Sequence, residues 1–367
     1  MKAQDKLYQI ATTFLKGIGP KKASMLISRL SSVEAIFEGS IHDIHEITKI
    51  PISILFQMNR VQAIELAKKQ MDFIEKNNIQ THFYLDSNYP RRLKQCQDAP
   101  LLLYSKGNFD CNPSKVVSIV GTRHSSEYGR ELTHALVEEL TTHNVQIISG
   151  LAYGTDYNAH KAAVDLQMST VGVLGHGLDR IYPSIHRDIA LKMCVNGGLL
   201  TEFPIDTKPD RINFPMRNRI VAGMSDALVI IESKRKGGSM ITAELAFDYN
   251  REVFAFPGNI HQENSSGCNL LIQKNMSHLI TSPADLIKLM DWKNTPIHDN
   301  KTEENIPSIT LNDAEKCIFS SLKNKGRMHF DQLLVDLQMT SQDLNSKLFN
   351  LEMEGVVKSL PGRVYSI

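Results

Sequence analysis

The chain has 367 residues, 42% of them hydrophobic and 22% charged, the balance of a soluble globular protein. That length exceeds one ordinary core and predicts two or three domains. A formal net charge of +1 excludes a general basic field, so any contact with nucleic acid has to come from local clusters of Arg and Lys. The five cysteines (Cys96, Cys111, Cys194, Cys268, Cys317) are scattered and contain no CxxC pair. They read as reduced thiols of a cytoplasmic protein, and neither a disulfide framework nor a metal site is expected. No apolar run approaches a membrane span, and the opening MKAQDKLYQIATTF lacks the apolar stretch of a signal peptide.

Residues 1–80 read as a helical domain, with helical patterning persisting to about Leu101. Gly17-Ile18-Gly19-Pro20 precedes the periodic positions Ala23, Met25, Leu26, Ile27 and Leu30. This is the form of a helix-hairpin-helix, in which glycine amides can face a DNA phosphate. A tight turn between helices of a small bundle is the plainer reading of one short GxG. Ile50-Pro51-Ile52 marks a second hairpin that lacks the glycines.

Residues 81–292 alternate strands and helices. Six strands are expected at 115–120, 145–149, 170–174, 198–201, 227–231 and 253–256, with a helix over 127–142. Short β-rich runs separated by helices predict a parallel, Rossmann-like α/β sheet covered on both faces. Glycines recur at the carboxyl ends of the strands, where ligands of open α/β sheets bind. A polar linker is expected at 293–307 (KNTPIHDNKTEENIP). Residues 308–367 follow with helices at 312–322, 330–337 and 340–354, then Gly355 and a hairpin, the outline of a winged helix.

Four stretches of the α/β region carry chemistry. Gly121-Thr122-Arg123-His124-Ser125-Ser126 lies between a strand and a helix, where backbone amides, a helix N-terminus and Arg123 suit an anion. Ser149-Gly150-Leu151-Ala152-Tyr153-Gly154 is a second small-residue loop, without the middle glycine of a dinucleotide fingerprint; no nicotinamide, flavin or other cofactor is expected. Downstream, Asp156 and His160 stand four apart and read as a hydrogen-bonded structural pair. Around Phe214, the arginines Arg211, Arg217 and Arg219 and the amide of Asn218 offer phosphate donors beside a face for an unpaired base. At least one of these arginines is expected to pair with a carboxylate such as Glu202. Finally, Lys234-Arg235-Lys236-Gly237-Gly238-Ser239 joins cations to a strand-to-helix turn, and Arg251 and Asn269 could close the same face. The candidate nucleic-acid contacts are therefore Gly121, Arg123, Ser126, Gly150, Arg211, Phe214, Arg217, Asn218, Lys236, Gly237, Gly238 and Ser239, with no catalytic residue among them.

With these residues in order, the chain resembles the DprA (Smf) family of DNA-processing proteins. The match runs through Tyr89-Pro90, Gly121-Thr122-Arg123, Ser149-Gly150-Leu151-Ala152, Gly154-Thr155-Asp156, Phe214-Pro215, Arg217-Asn218-Arg219-Ile220, Gly238-Ser239 and Gly267-Cys268-Asn269, about half the chain. Near the end, Gly355-Val356-Val357-Lys358 and Leu360-Pro361-Gly362 extend it into the winged helix. The resemblance implies a SAM-like N-terminal domain and a cytosolic homodimer that binds single-stranded DNA and helps load the RecA recombinase. It also implies that the strand lies over the carboxyl ends of the sheet.

Two departures from the family pattern stand out. His176, where the family more often has a small residue, is read as a surface histidine. The recognition helix at 340–354 has Lys347 as its only cation against Asp343, Glu352 and Glu354, which suits a partner surface better than duplex DNA. The rival reading is an enzyme, a nucleotide phosphoribohydrolase of the lysine-decarboxylase-like type. Its Pro-Gly-Gly-x-Gly-Thr-x-x-Glu loop is broken here at residues 236–244, which lack the proline and the third glycine.

Overall fold

In the computed structural model, the structure describes residues 3–292, 312–360 and 362–367; the expected linker at 293–307 lies outside them. Nine strands form one sheet: β1 (Gln80–Phe83), β2 (Leu102–Gly107), β3 (Val116–Val120), β4 (Gln146–Ser149), β5 (Thr170–Val173), β6 (Gly198–Thr201), β7 (Ala227–Ile230), β8 (Glu252–Ala255) and β9 (His278–Leu279). Their order is β1-β2-β6-β5-β4-β3-β7-β8-β9. Every residue of β3, β4, β5, β6 and β7 is buried. Helices on both faces exclude water from these runs, which explains why they read as continuous apolar segments without alternation.

The chain winds outward from β3 through β4, β5 and β6, then crosses back to lay β7 on the other side of β3. The reversal of direction therefore falls between β3 and β7, paired in parallel from Val117↔Ala227 to Val120↔Ile230. At such a point two loops diverge at the carboxyl ends and leave a crevice.

One expectation needs correction. The six expected strands are present as β3–β8 and run parallel, but the sheet is larger: β1 pairs antiparallel with β2, β2 antiparallel with β6, and β9 joins β8. The β1 strand is only four residues long, and the connection to β2 holds Pro90, Pro100 and the short Arg91–Lys94 helix, so no strand period develops there. At the far edge, β9 has two exposed residues and no apolar run.

Six helices precede the sheet, at Ala3–Thr12, Pro20–Leu30, Glu34–Glu38, Ile41–Thr48, Ile52–Gln57 and Arg60–Lys76. Gly17 has φ +78°, and Gly19 caps a helix that starts with Pro20, whose ring fits the first turn where no amide partner is needed. The buried side chains of these helices share one cluster with Phe83, Leu101, Leu102 and Tyr104, so they seal the β1–β2 edge. At the other end of the chain, helices Asp313–Lys325, Phe330–Leu337 and Ser341–Met353 pack with β10 (Met328–His329), β11 (Lys358–Leu360) and β12 (Val364–Ser366) around a separate apolar core. This is a winged helix. Among the described residues no helix is long and apolar enough to cross a membrane.

Candidate nucleic-acid interface

A cleft of 780 Å³ opens over the carboxyl ends of β3, β4 and β7. Its first wall is the loop after β3. The Thr122 amide donates to the Glu232 carbonyl at 2.8 Å, and the Thr155 amide to the Thr122 carbonyl at 3.1 Å, which ties this loop to those after β7 and β4. A Cβ on Gly121 would lie 2.4 Å from Thr155 Oγ1, so only glycine permits this approach. From the tethered loop Arg123 projects, exposed, with its guanidinium carbon 5.8 Å from the centroid of the Phe214 ring. Cation and ring are thus preassembled.

Phe214 belongs to the Asn213–Gly223 helix, and its ring lies 6.1 Å from that of Tyr182. Tyr182 also lines the cleft. The three arginines of this helix region separate by environment. Arg211 is exposed and lines the cleft. Arg219 is buried and paired with Glu202, as expected for one of them. Arg217 is 5% exposed, yet it also lines the cleft. It packs so tightly on Gly150 that a Cβ there would fall 1.4 Å from its Nη1. Nη1 stands 3.9 Å from Asp156, beyond hydrogen-bond reach, and its Nε has no partner. Burial lowers the Arg217 pKa, opposed by Asp156; burial likewise raises that of Asp156, opposed by Arg217. A buried guanidinium with unfilled donors at the floor of a cleft is suited to an anion.

The third wall comes from the loop after β7. Gly237, Gly238 and Ser239 line the cleft at the start of the Gly238–Asp248 helix, with Asn218 Nδ2 donating to the Gly238 carbonyl at 3.4 Å. A Cβ on Gly238 would meet nothing within 4 Å, so the backbone here is open to a visiting group.

Of the twelve candidate residues, nine line this cleft: Gly121, Arg123, Arg211, Phe214, Arg217, Asn218, Gly237, Gly238 and Ser239. Gly150 lies behind Arg217 as packing. Lys236 is exposed outside the lining; Lys234 takes a place in it and pairs with Glu263 at 2.7 Å. Ser126 faces inward. Its amide and hydroxyl donate to the two carboxylate oxygens of Glu232 at 2.9 and 2.7 Å.

Other expectations fail on geometry. Asp156 turns to Arg217 and His160 to Thr170, at 2.7 Å, so the two do not pair; four-residue spacing allows a contact but deeper partners took both. Arg251 donates to the carbonyls of Arg92 and Gly223, and Asn269 bonds Gly258, so neither closes the cleft. His176 is not on the surface: it is 1% exposed, with Nδ1 2.9 Å from the Gly177 carbonyl. Tyr182 and Glu232 were not among the candidate residues. Tyr182 had the adjacent Pro183 as its only local mark, and Glu232 only its place after a buried strand.

The family model described as "DNA recombination-mediator protein A" matches residues 80–291, more than half of the chain. The chain belongs to the DprA (Smf) family. The DprA winged helix domain matches residues 303–363. Among DprA-family relatives, Protein Smf of Synechocystis is 28% identical over 406 residues, covering 100% of this chain and 99% of the relative. DNA processing protein DprA of Bacillus subtilis is 36% identical over 207 residues, covering 56% of this chain and 69% of the relative. The crystal structure of DprA from Streptococcus pneumoniae superimposes with a TM-score of 0.65 at 29% identity, covering 78% of this chain and 98% of that one. DprA from Helicobacter pylori, a protein with a described single-stranded DNA binding mode, gives 0.52 at 29% identity, covering 57% and 94%.

Proposed function

We propose that this DprA-family chain binds single-stranded DNA in the cleft over β3, β4 and β7 and acts as a recombination mediator. One observation carries the reading: exposed Arg123 and Arg211 and buried Arg217 line the same cleft as the Phe214 face. Arginines bridge phosphates, and an aromatic face receives a base only when that base is unstacked, which favours a single strand over a duplex. The described DNA binding of the Helicobacter pylori relative supports the same ligand. Protection of the strand, loading of RecA onto it and homodimerisation are the family roles we assign with it, in a cytoplasmic setting. The winged helix is the part we assign to partner contact, because the exposed face of its Ser341–Met353 helix carries acids and few cations.

Catalysis has no place in this reading. Glu244, the acid that a phosphoribohydrolase loop would need, is exposed on the Gly238–Asp248 helix and outside the cleft lining. The test is fluorescence anisotropy of a labelled single-stranded oligonucleotide. Arg123→Ala weakens binding and lowers the slope of log affinity against log salt by about 0.7, the value for one phosphate of a single strand. Unchanged affinity and slope in Arg123→Ala and Arg211→Ala together refute the assignment.

A further inference from the structure

Doubly wound sheets commonly bind the phosphate of a free nucleotide where the sheet reverses direction, using the amides at the start of the first crossover helix. Here that place lies between β3 and β7, at the N-terminus of the Glu127–Thr141 helix. It is already filled from within. Glu232, two residues after β7 and 2% exposed, accepts from the Ser126 amide at 2.9 Å with one carboxylate oxygen and from the Ser126 hydroxyl at 2.7 Å with the other. The same hydroxyl accepts from the Gly129 amide at 3.1 Å, closing the first turn of the helix. The fit is close: a Cβ on Gly129 would stand 2.2 Å from Glu232 Oε2. The Ser126 amide and hydroxyl, donors that would greet a phosphate, are spent on a resident carboxylate, which also takes up the positive end of the helix dipole.

We infer that Glu232 is a specificity-determining residue: an internal anion that closes the phosphate site of this crevice to free nucleotides. The cleft is left with side-chain cations, Arg123, Arg211 and Arg217, and with the open Gly237–Gly238 backbone. Three cations and an open backbone offer more donors than one phosphate can use, which suits a chain of phosphates. That last step rests on the strand-binding reading above; closure of the crevice does not.

The test titrates inorganic phosphate and adenosine monophosphate into the full-length chain and its Glu232→Ala and Glu232→Gln variants by calorimetry. Near-ultraviolet circular dichroism reports folding. The wild-type chain is expected to bind either probe only weakly. Glu232→Ala frees both space and donors and gains about tenfold or more in phosphate affinity; Glu232→Gln removes only the charge and gains roughly threefold. Wild-type binding of either probe as tight as that of Glu232→Ala overturns the inference, as does the absence of any gain in the folded variants. Should Glu232→Ala fail to fold, Glu232→Gln decides alone, a gain upholding the inference and no gain overturning it. Oligonucleotide binding that depends on Arg123 but accompanies no gain for phosphate refutes this inference and leaves the proposed function standing.

Discussion

Burial divides the arginines around Phe214, and burial sets what each can do. Arg219 shares a site with Glu202 in which both side chains are 10% exposed, and it also reaches the Asp98 carbonyl. Burial raises the pKa of Glu202, and Arg219 opposes the rise. Removing the cation would strand a buried carboxylate. Arg219→Ala is expected to cost about 3–5 kcal/mol in chemical denaturation while leaving the salt dependence of oligonucleotide binding as it was. Arg211, exposed at the rim, predicts the reverse: unchanged denaturation and a salt slope lower by about 0.7. A variant pair that behaved alike in both measurements would contradict the division. Residue type and spacing marked Arg211 and Arg217 as contacts and one arginine as a carboxylate's partner; only the fold shows that Arg217 is buried while Arg211 is exposed, because burial of Arg217 and Arg219 depends on which face of the Asn213–Gly223 helix meets the sheet.

At the scale of elements, the core strands were legible for a simple reason. Runs such as VVSIV at 116–120 and ALVI at 227–230 are buried on both faces, and the glycine after β3 sits where two loops must touch. The antiparallel edge was not legible, since β1 and β2 draw their stability from the N-terminal helices and from β6, partners distant in sequence. Gly150 shows the same limit in a single position: read as a backbone donor for an anion, it proves to be the space into which Arg217 fits. Gly150→Ala therefore displaces that guanidinium, and its oligonucleotide affinity should fall to that of Arg217→Ala. The double variant should be no weaker than either single one, because both changes remove the same contact. Additive losses would separate the two residues.

The whole molecule adds a winged helix at the opposite end of the sheet. A cavity of 440 Å³ separates it from the amino ends of β3 and β7, with Ser114 and Lys115 on one side and His329 and Asp331 on the other. Its docking is polar: Arg327 pairs with Asp291 at 3.0 Å, Arg363 donates to Gln95 at 3.3 Å, and His329 lies 4.0 Å from Asp226. Asp331 is 5% exposed, and neither of its carboxylate oxygens has a hydrogen-bond partner, His329 Nδ1 standing 3.5 Å from one of them. Burial raises its pKa from 3.8 to about 6, against the pull of Arg251, Arg363 and Arg92. A carboxyl whose pKa is raised in the fold disfavours folding when ionised. The penalty is absent well below the unfolded pKa, grows as pH rises toward about 6, and is complete above it, on the order of 2–3 kcal/mol. Asp331→Asn should therefore stabilise the winged helix by that amount at neutral pH, with the gain vanishing in melts below about pH 4. A gain of equal size at both pH values would exclude ionisation as its source.

The cleft and the winged helix occupy opposite poles of one sheet, a strand's length apart, with the packed interior between them. A ligand at one pole takes no space from a ligand at the other. Under the proposed function such a molecule would be a two-ended clamp: with a filament gripped at one end, its other end stays free to meet, hand over to, or be pulled away by a second macromolecule, and neither guest has to leave for the other to arrive.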